Sequence, residues 1–113
     1  MDLATTQKNL LEGEAKFFRG IAYFELIRMF AQPWGYTNDN SHPGVPLRTS
    51  LDLTTKQRST VAEIYAQIIA DLSSAETLLP DVTANGKFYT ATKWAAKAYL
   101  AKVYFQQNNF AKA

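Results

Sequence analysis

Residues 14–30 read EAKFFRGIAYFELIRMF, and drawn as a helix this stretch is apolar on almost every side. A surface helix of a small protein has one apolar stripe; a helix that is apolar nearly all round is packed on several faces. The chain must therefore supply further elements against which this helix can lie. The helix is expected to start near Leu3 and to end at Phe30, with Gly13 as a weak point, because an interior glycine costs about 1 kcal/mol relative to alanine.

Two further segments have the required periodicity. Thr60-Val61-Ala62-Glu63 is a capping box, in which the threonine hydroxyl accepts from a free backbone N–H and the glutamate reaches back to the cap. Val61, Ile64, Ile68, Leu72, Ala75 and Leu79 follow at spacings of three and four, drawing one apolar stripe that Pro80 ends. Asn85-Gly86 then signals a turn. A third helix is expected from Thr90 or Thr92 through Trp94, Ala98, Ala101, Tyr104 and Phe105. Asn108-Asn109 should stop it, since asparagine tolerates the left-handed conformation, and Phe110 should open another helix.

With 113 residues the chain can bury one core and has little room for a second. Apolar residues make up 47% and charged residues 19%, which is a globular composition rather than a disordered one. A net charge of +2 leaves no electrostatic footprint for nucleic acid. The absence of cysteine excludes a disulfide scaffold, a thiol nucleophile and a cysteine zinc site, and a single histidine excludes a metal site built on several imidazoles. No cofactor is called for. The first residues, Met1-Asp2-Leu3, are not followed by the apolar run of a secretory signal, and no stretch is long enough to span a bilayer.

The helices also repeat a pattern. Leu100-Ala101-x-x-Tyr104, then Asn108-Asn109-Phe110, resembles the first helix and turn of a tetratricopeptide repeat, in which a small residue admits a neighbouring helix and an aromatic fills the gap above it. Gly20 and Tyr23 form the same pair in the first helix. The expected fold is all-α: tetratricopeptide-like antiparallel helix pairs, with residues 14–30 against residues 60–79 and a long proline-containing insertion, residues 31–58, between them. A second pair begins near Thr92, so Trp94, Tyr104 and Phe105 are expected to lack full cover.

Glu14-Ala15-Lys16-Phe17-Phe18-Arg19-Gly20-x-x-Tyr23-Phe24-x-Leu26 resembles the signature helix of the SusD/RagB-like family. Gly44-Val45-Pro46-Leu47 stands where that family has its Gly-x-Pro-Leu element. Thr60-Val61-x-Glu63-x-Tyr65, Ile68, Asp71-Leu72 and Leu78-Leu79-Pro80 are similar to its next helix, and Thr92-Lys93-x-Ala95-Ala96-Lys97-Ala98-x-Leu100-Ala101-Lys102-Val103-Tyr104 to the one after. The resemblance runs over nearly the whole chain in the right order. It implies the N-terminal helical-repeat portion, residues 1–113, of a several-fold longer surface lipoprotein whose signal and lipidated cysteine lie elsewhere. It also implies a non-enzymatic carbohydrate-binding role at the outer membrane, in glycan uptake with a TonB-dependent SusC-like transporter. The alternative is a tetratricopeptide-type protein-interaction scaffold that binds no sugar.

The insertion holds three of the four prolines, Pro33, Pro43 and Pro46. So long a connection without periodicity in a compact domain points to function or to disorder. Sugar recognition needs a flat apolar surface against a pyranose face and polar partners for the hydroxyls; aromatic rings supply the first. Trp34, Tyr36, Asn38, Asp39 and Asn40 bring both ingredients together and form the candidate carbohydrate site, against the alternative that the aromatics pack the loop onto the helices. A calcium loop at residues 39–44 fails on spacing, because Pro43 replaces a ligand and no far glutamate follows. His42 is expected in an exposed turn, Arg19 and Glu14 in helix-anchoring ion pairing, and Lys93, Lys97 and Lys102 on a solvated face. No catalytic constellation can be picked out.

Overall fold

A computed structural model of the chain describes residues 5–49, 56–80, 92–109 and 111–113. Three helices account for its regular structure: α1 (Thr5–Phe30), α2 (Val61–Leu78) and α3 (Lys93–Gln106). Among the described residues the only β pairing is an isolated antiparallel bridge between Pro43 and Thr60. The all-α expectation therefore holds. The Asn85-Gly86 turn and the start of a helix at Phe110 fall outside the described residues.

The buried face of α1 is Gly13, Phe17, Gly20, Phe24 and Ile27, at spacings of four and three. Its two glycines are where α2 comes closest. A Cβ on Gly13 would lie 3.0 Å from Leu78 Cβ, and one on Gly20 would lie 3.0 Å from Leu72 Cγ. A Cβ on Gly44 would touch both Ile27 and Ile64. Positions 13, 20 and 27 thus meet 78, 72 and 64, so α1 and α2 run antiparallel. Gly13 is not a weak point: the helix runs through it, and the missing side chain is what lets α2 approach.

Three free N–H groups at the start of α2 have an acceptor. Thr60 Oγ1 takes the Glu63 N–H at 3.2 Å, while the carbonyls of His42 and Asn40 take those of Val61 and Ala62, each at 3.0 Å. Four such donors are left open by any helix start, and here the insertion closes two of them. The capping box is only half realised, because the Glu63 side chain is exposed and makes no bond to the cap. Leu79 leaves the helix in extended geometry ahead of Pro80, which disfavours the helical region for the residue before it.

Helix α3 is capped by Thr92, whose Oγ1 accepts from Ala95 N at 3.3 Å, and its first residue is tied to the end of α2 by Lys93 N donating to Pro80 O at 3.0 Å. It ends in a Schellman motif: Asn108 is left-handed (φ 60°), Asn109 N donates to Tyr104 O and Asn108 N to Phe105 O. Ala96, Leu100 and Val103 face the core. Ala101 and Tyr104 are half-buried.

The core gathers Phe17, Phe24, Ile27, Val61, Ile64, Tyr65, Ile68, Leu72, Ala75 and Leu79 with these α3 residues. One ionic link crosses it. Asp71, buried on α2, accepts from Arg19 Nε at 2.7 Å and from Arg19 Nη2 at 2.5 Å, and its Oδ1 also accepts from Gln67 Nε2 at 3.0 Å. The hydrogen bond to Asp71 pushes the Arg19 guanidinium above its usual value, against the opposing effect of burial. The expected helix-anchoring ion pair therefore exists, made by Arg19 with Asp71; Glu14 takes no part in it.

Candidate functional site

The site begins with how the insertion is fastened. Tyr23, expected to fill the space above Gly20, instead points its hydroxyl at the loop: it accepts from Arg48 N at 2.7 Å and donates to Arg48 O at 3.1 Å. Gly44 and Val45 pair with Ser59, through Gly44 N to Ser59 O at 2.6 Å and Ser59 N to Val45 O at 3.1 Å. Arg58 binds three carbonyls at once. Its Nε donates to Gly44 O at 2.6 Å, and its Nη2 to Phe30 O and Pro43 O at 3.3 Å each. Phe30 is the last residue of α1, so this guanidinium also sits at the negative end of a helix dipole.

Gly44 makes this fastening sensitive to one methyl group. A Cβ there would lie 2.8 Å from Ile27 Cδ1 and 3.0 Å from the Ser59 carbonyl oxygen, which is backbone. Gly44→Ala is therefore expected to destabilise by about 1–3 kcal/mol through overpacking, measured by denaturant unfolding; an unchanged midpoint would contradict this placement.

His42 is not an exposed turn residue. It is 6% exposed, with both ring nitrogens bonded: Nε2 lies 3.1 Å from the Gln32 carbonyl oxygen and Nδ1 2.9 Å from Thr37 Oγ1. A carbonyl can only accept, so Nε2 carries the proton, and in the neutral ring Nδ1 accepts from the threonine hydroxyl. The Tyr36 ring meets the imidazole edge-on, 5.3 Å between centroids. No signal in the sequence marked His42 as buried, since its partners are a backbone carbonyl ten residues away and a threonine five residues away.

The five candidate carbohydrate residues divide. Trp34 is half-buried and packs edge-to-face on Tyr65 of α2, centroids 5.0 Å apart; burial in turn pushes the Tyr65 hydroxyl above its usual value. Asn40 is buried, left-handed (φ 57°), and its Oδ1 accepts from Gly35 N at 2.6 Å while its carbonyl caps α2. Both serve the loop's own packing. Tyr36, Asn38 and Asp39 are exposed. Asp39 Oδ1 accepts from Ser41 N at 3.1 Å, and hydrogen bonds from the Ser41 hydroxyl and then its backbone N–H hold this carboxyl below its usual value.

Tyr36 opens onto a cleft of about 570 Å³ with Met29, Phe30, Gln32, Pro43 and Arg58 on its walls. Tyr36 is 63% exposed and Phe30 62%, both far more open than core aromatics. The cleft thus has two aromatic faces, an amide and a guanidinium whose Nη1 takes part in none of the three carbonyl bonds. Small ligands bind in concave sites where a few polar groups converge beside apolar walls, and in this cleft polar and apolar surface are about equal. Phe30, Gln32 and Arg58 were not singled out from the sequence, because they lie at opposite ends of the insertion and meet only when it folds back on α1. Among the described residues no cluster of His, Asp or Glu could hold a metal ion.

A profile of the SusD-like family, described as starch-binding and associating with the outer membrane, matches residues 2–105. The SusD-like protein P2 of Formosa agariphila is 30% identical over 105 residues, which is 93% of this chain and 19% of that protein. A crystal structure of a SusD superfamily protein from Bacteroides thetaiotaomicron is 39% identical, with a TM-score of 0.85 over 99% of this chain and 24% of that one. A laminarin-binding SusD-like protein is 26% identical, with a TM-score of 0.81 over the whole of this chain and 23% of its own. The chain therefore spans about a fifth to a quarter of the length of these relatives.

Proposed function

Because the chain belongs to the SusD-like family, whose members are carbohydrate-binding proteins associated with the outer membrane, we propose that it contributes a glycan-capture surface to a non-enzymatic uptake system there. In this reading an oligosaccharide is held at the cell surface and passed to a TonB-dependent SusC-like transporter, with membrane attachment through a lipid anchor outside these residues. The observation that carries the reading is the cleft at the end of α1, where the open rings of Phe30 and Tyr36 stand beside Gln32 and Arg58.

The physical logic is stacking plus orientation. A pyranose ring has an apolar face of C–H groups that an aromatic ring covers, and its equatorial hydroxyls then meet polar groups at the rim. Tyr36 is the platform, with Asn38 and Asp39 two and three residues along the same exposed turn. Trp34 and Asn40 act one step removed, by holding that turn against α2.

The two aromatics are accordingly expected to behave differently. Tyr36→Ala should weaken oligosaccharide binding about tenfold, a loss of about 1.4 kcal/mol, with no change in melting temperature. Trp34→Ala should lower the melting temperature, because it removes the ring packed on Tyr65. Titration of the isotope-labelled chain with starch and laminarin oligosaccharides, followed by NMR, reads the first effect, and thermal unfolding reads the second. Shifts absent from Phe30, Tyr36 and Gln32 at millimolar sugar would remove the cleft from the site.

A further inference from the structure

Arg58 has more donors than the fastening of the insertion uses. A guanidinium carries its N–H groups in a fixed planar fork, one on Nε and two on each Nη. Nε and Nη2 are taken by the carbonyls of Gly44, Phe30 and Pro43, while Nη1 meets no protein acceptor. Among the described residues the carboxylates pair with Lys16, Arg19, Arg28 and Lys97, and none pairs with Arg58. No aspartate or glutamate is among the described residues that line the cleft. Asp39 is turned to Ser41, and His42 has both ring nitrogens bonded within the insertion. The wall of the cleft therefore carries an exposed cation with no anion to balance it.

We propose that the cleft selects acidic sugars: a uronate carboxylate takes the Nη1 edge of Arg58 while a sugar ring lies on the face of Tyr36. This inference rests on the glycan-capture reading and adds the ligand class to it. Two physical points favour it. The three carbonyl bonds fix the guanidinium before any ligand arrives, so little side-chain freedom is lost on binding. The carbonyls and the end of the α1 dipole meet the cation with partial charges only, whereas a carboxylate brings a full one. Hydrogen bonds between ionised partners are roughly twice as strong as neutral ones, so a sugar hydroxyl at the same edge gains less.

The test compares ligands that differ in one charge. Starch and laminarin oligosaccharides oxidised to the uronate at the C6 of one residue, and the methyl esters of the same molecules, are titrated into the isotope-labelled chain and followed by NMR at Tyr36. The acid should bind about fivefold tighter than its ester at low salt, the upper end for an exposed ion pair. The gap should close at about 1 M salt, where the Debye length falls to about 3 Å. Arg58→Gln should abolish the gap; if that variant unfolds, the comparison of acid and ester in the unsubstituted chain still decides. Equal binding of acid and ester at low salt would overturn the acidic-sugar inference and leave the glycan-capture reading standing. A gap that persists in folded Arg58→Gln would overturn the assignment to Arg58. Binding of neither form, nor of the unoxidised oligosaccharides, would remove the cleft itself and both readings with it.

Discussion

Replacing Arg19 with methionine is expected to destabilise the fold by about 3 kcal/mol, the low end of the range for breaking a buried ion pair from one side, because Asp71 is buried while Arg19 keeps 32% of its side chain exposed. Asp71 is 2% exposed, and Arg19 provides two of its three hydrogen bonds, leaving only Gln67 when the guanidinium is gone. The carboxylate would then be desolvated without a counter-charge. Removing both charges at once, with Arg19→Met and Asp71→Leu together, should recover most of the loss, since a well-packed apolar pair replaces a buried ion pair at little net cost. Urea unfolding of the single and double variants reads both effects. A single variant that unfolds at the wild-type midpoint would show that the pair does not hold α1 to α2.

Leu72→Ala is expected to cost about 2–5 kcal/mol, as for other fully buried leucines. Leu72 is completely buried and sits against Gly20, so the cavity opens at the closest approach of the two helices. That geometry predicts a change of sign in a double-mutant cycle. Gly20→Ala alone should destabilise, because the new Cβ would lie 3.0 Å from Leu72 Cγ and 3.1 Å from its Cδ2, and this outweighs the gain of about 1 kcal/mol in helix propensity. In the Leu72→Ala background the obstruction is gone, so the same Gly20→Ala change should stabilise. Additive effects would mean that the two positions do not touch.

Much of this architecture was legible because it depends on neighbours in sequence. The start of α2 was marked by Thr60 ahead of an apolar stripe, its end by Pro80, and the end of α3 by Asn108 in the left-handed region. Gly20 as a contact glycine was legible from the cost of placing glycine inside a helix. Gly13 was misjudged for the same reason: propensity says only that a glycine weakens a helix, and the compensating approach of Leu78 and Leu79 comes from a segment more than sixty residues away.

The candidate site was legible only in part. The composition of the turn at residues 34–40 suggested aromatic and polar groups facing a sugar, but composition cannot assign a side. Trp34 turns to Tyr65 and Asn40 turns to Gly35, while Tyr36 stays open. His42 read as a surface histidine because its acceptor is a carbonyl, which no side-chain motif announces.

The sequence by itself determined the helices and where they start and stop, since these rest on spacings of three and four or on a turn residue at a fixed offset, while the antiparallel pairing and the family were carried by motifs that resemble known ones. Tertiary structure alone decided where the insertion lies. Arg58 brings Phe30, Pro43 and Gly44 to one guanidinium, Tyr23 pins Arg48, and the carbonyls of Asn40 and His42 finish the cap of α2. Those bonds are made almost wholly to backbone atoms, which every residue carries alike. The cleft they shape therefore left no trace in the order of side chains, and it exists only because the ends of α1 and α2 are held together by the core beneath them.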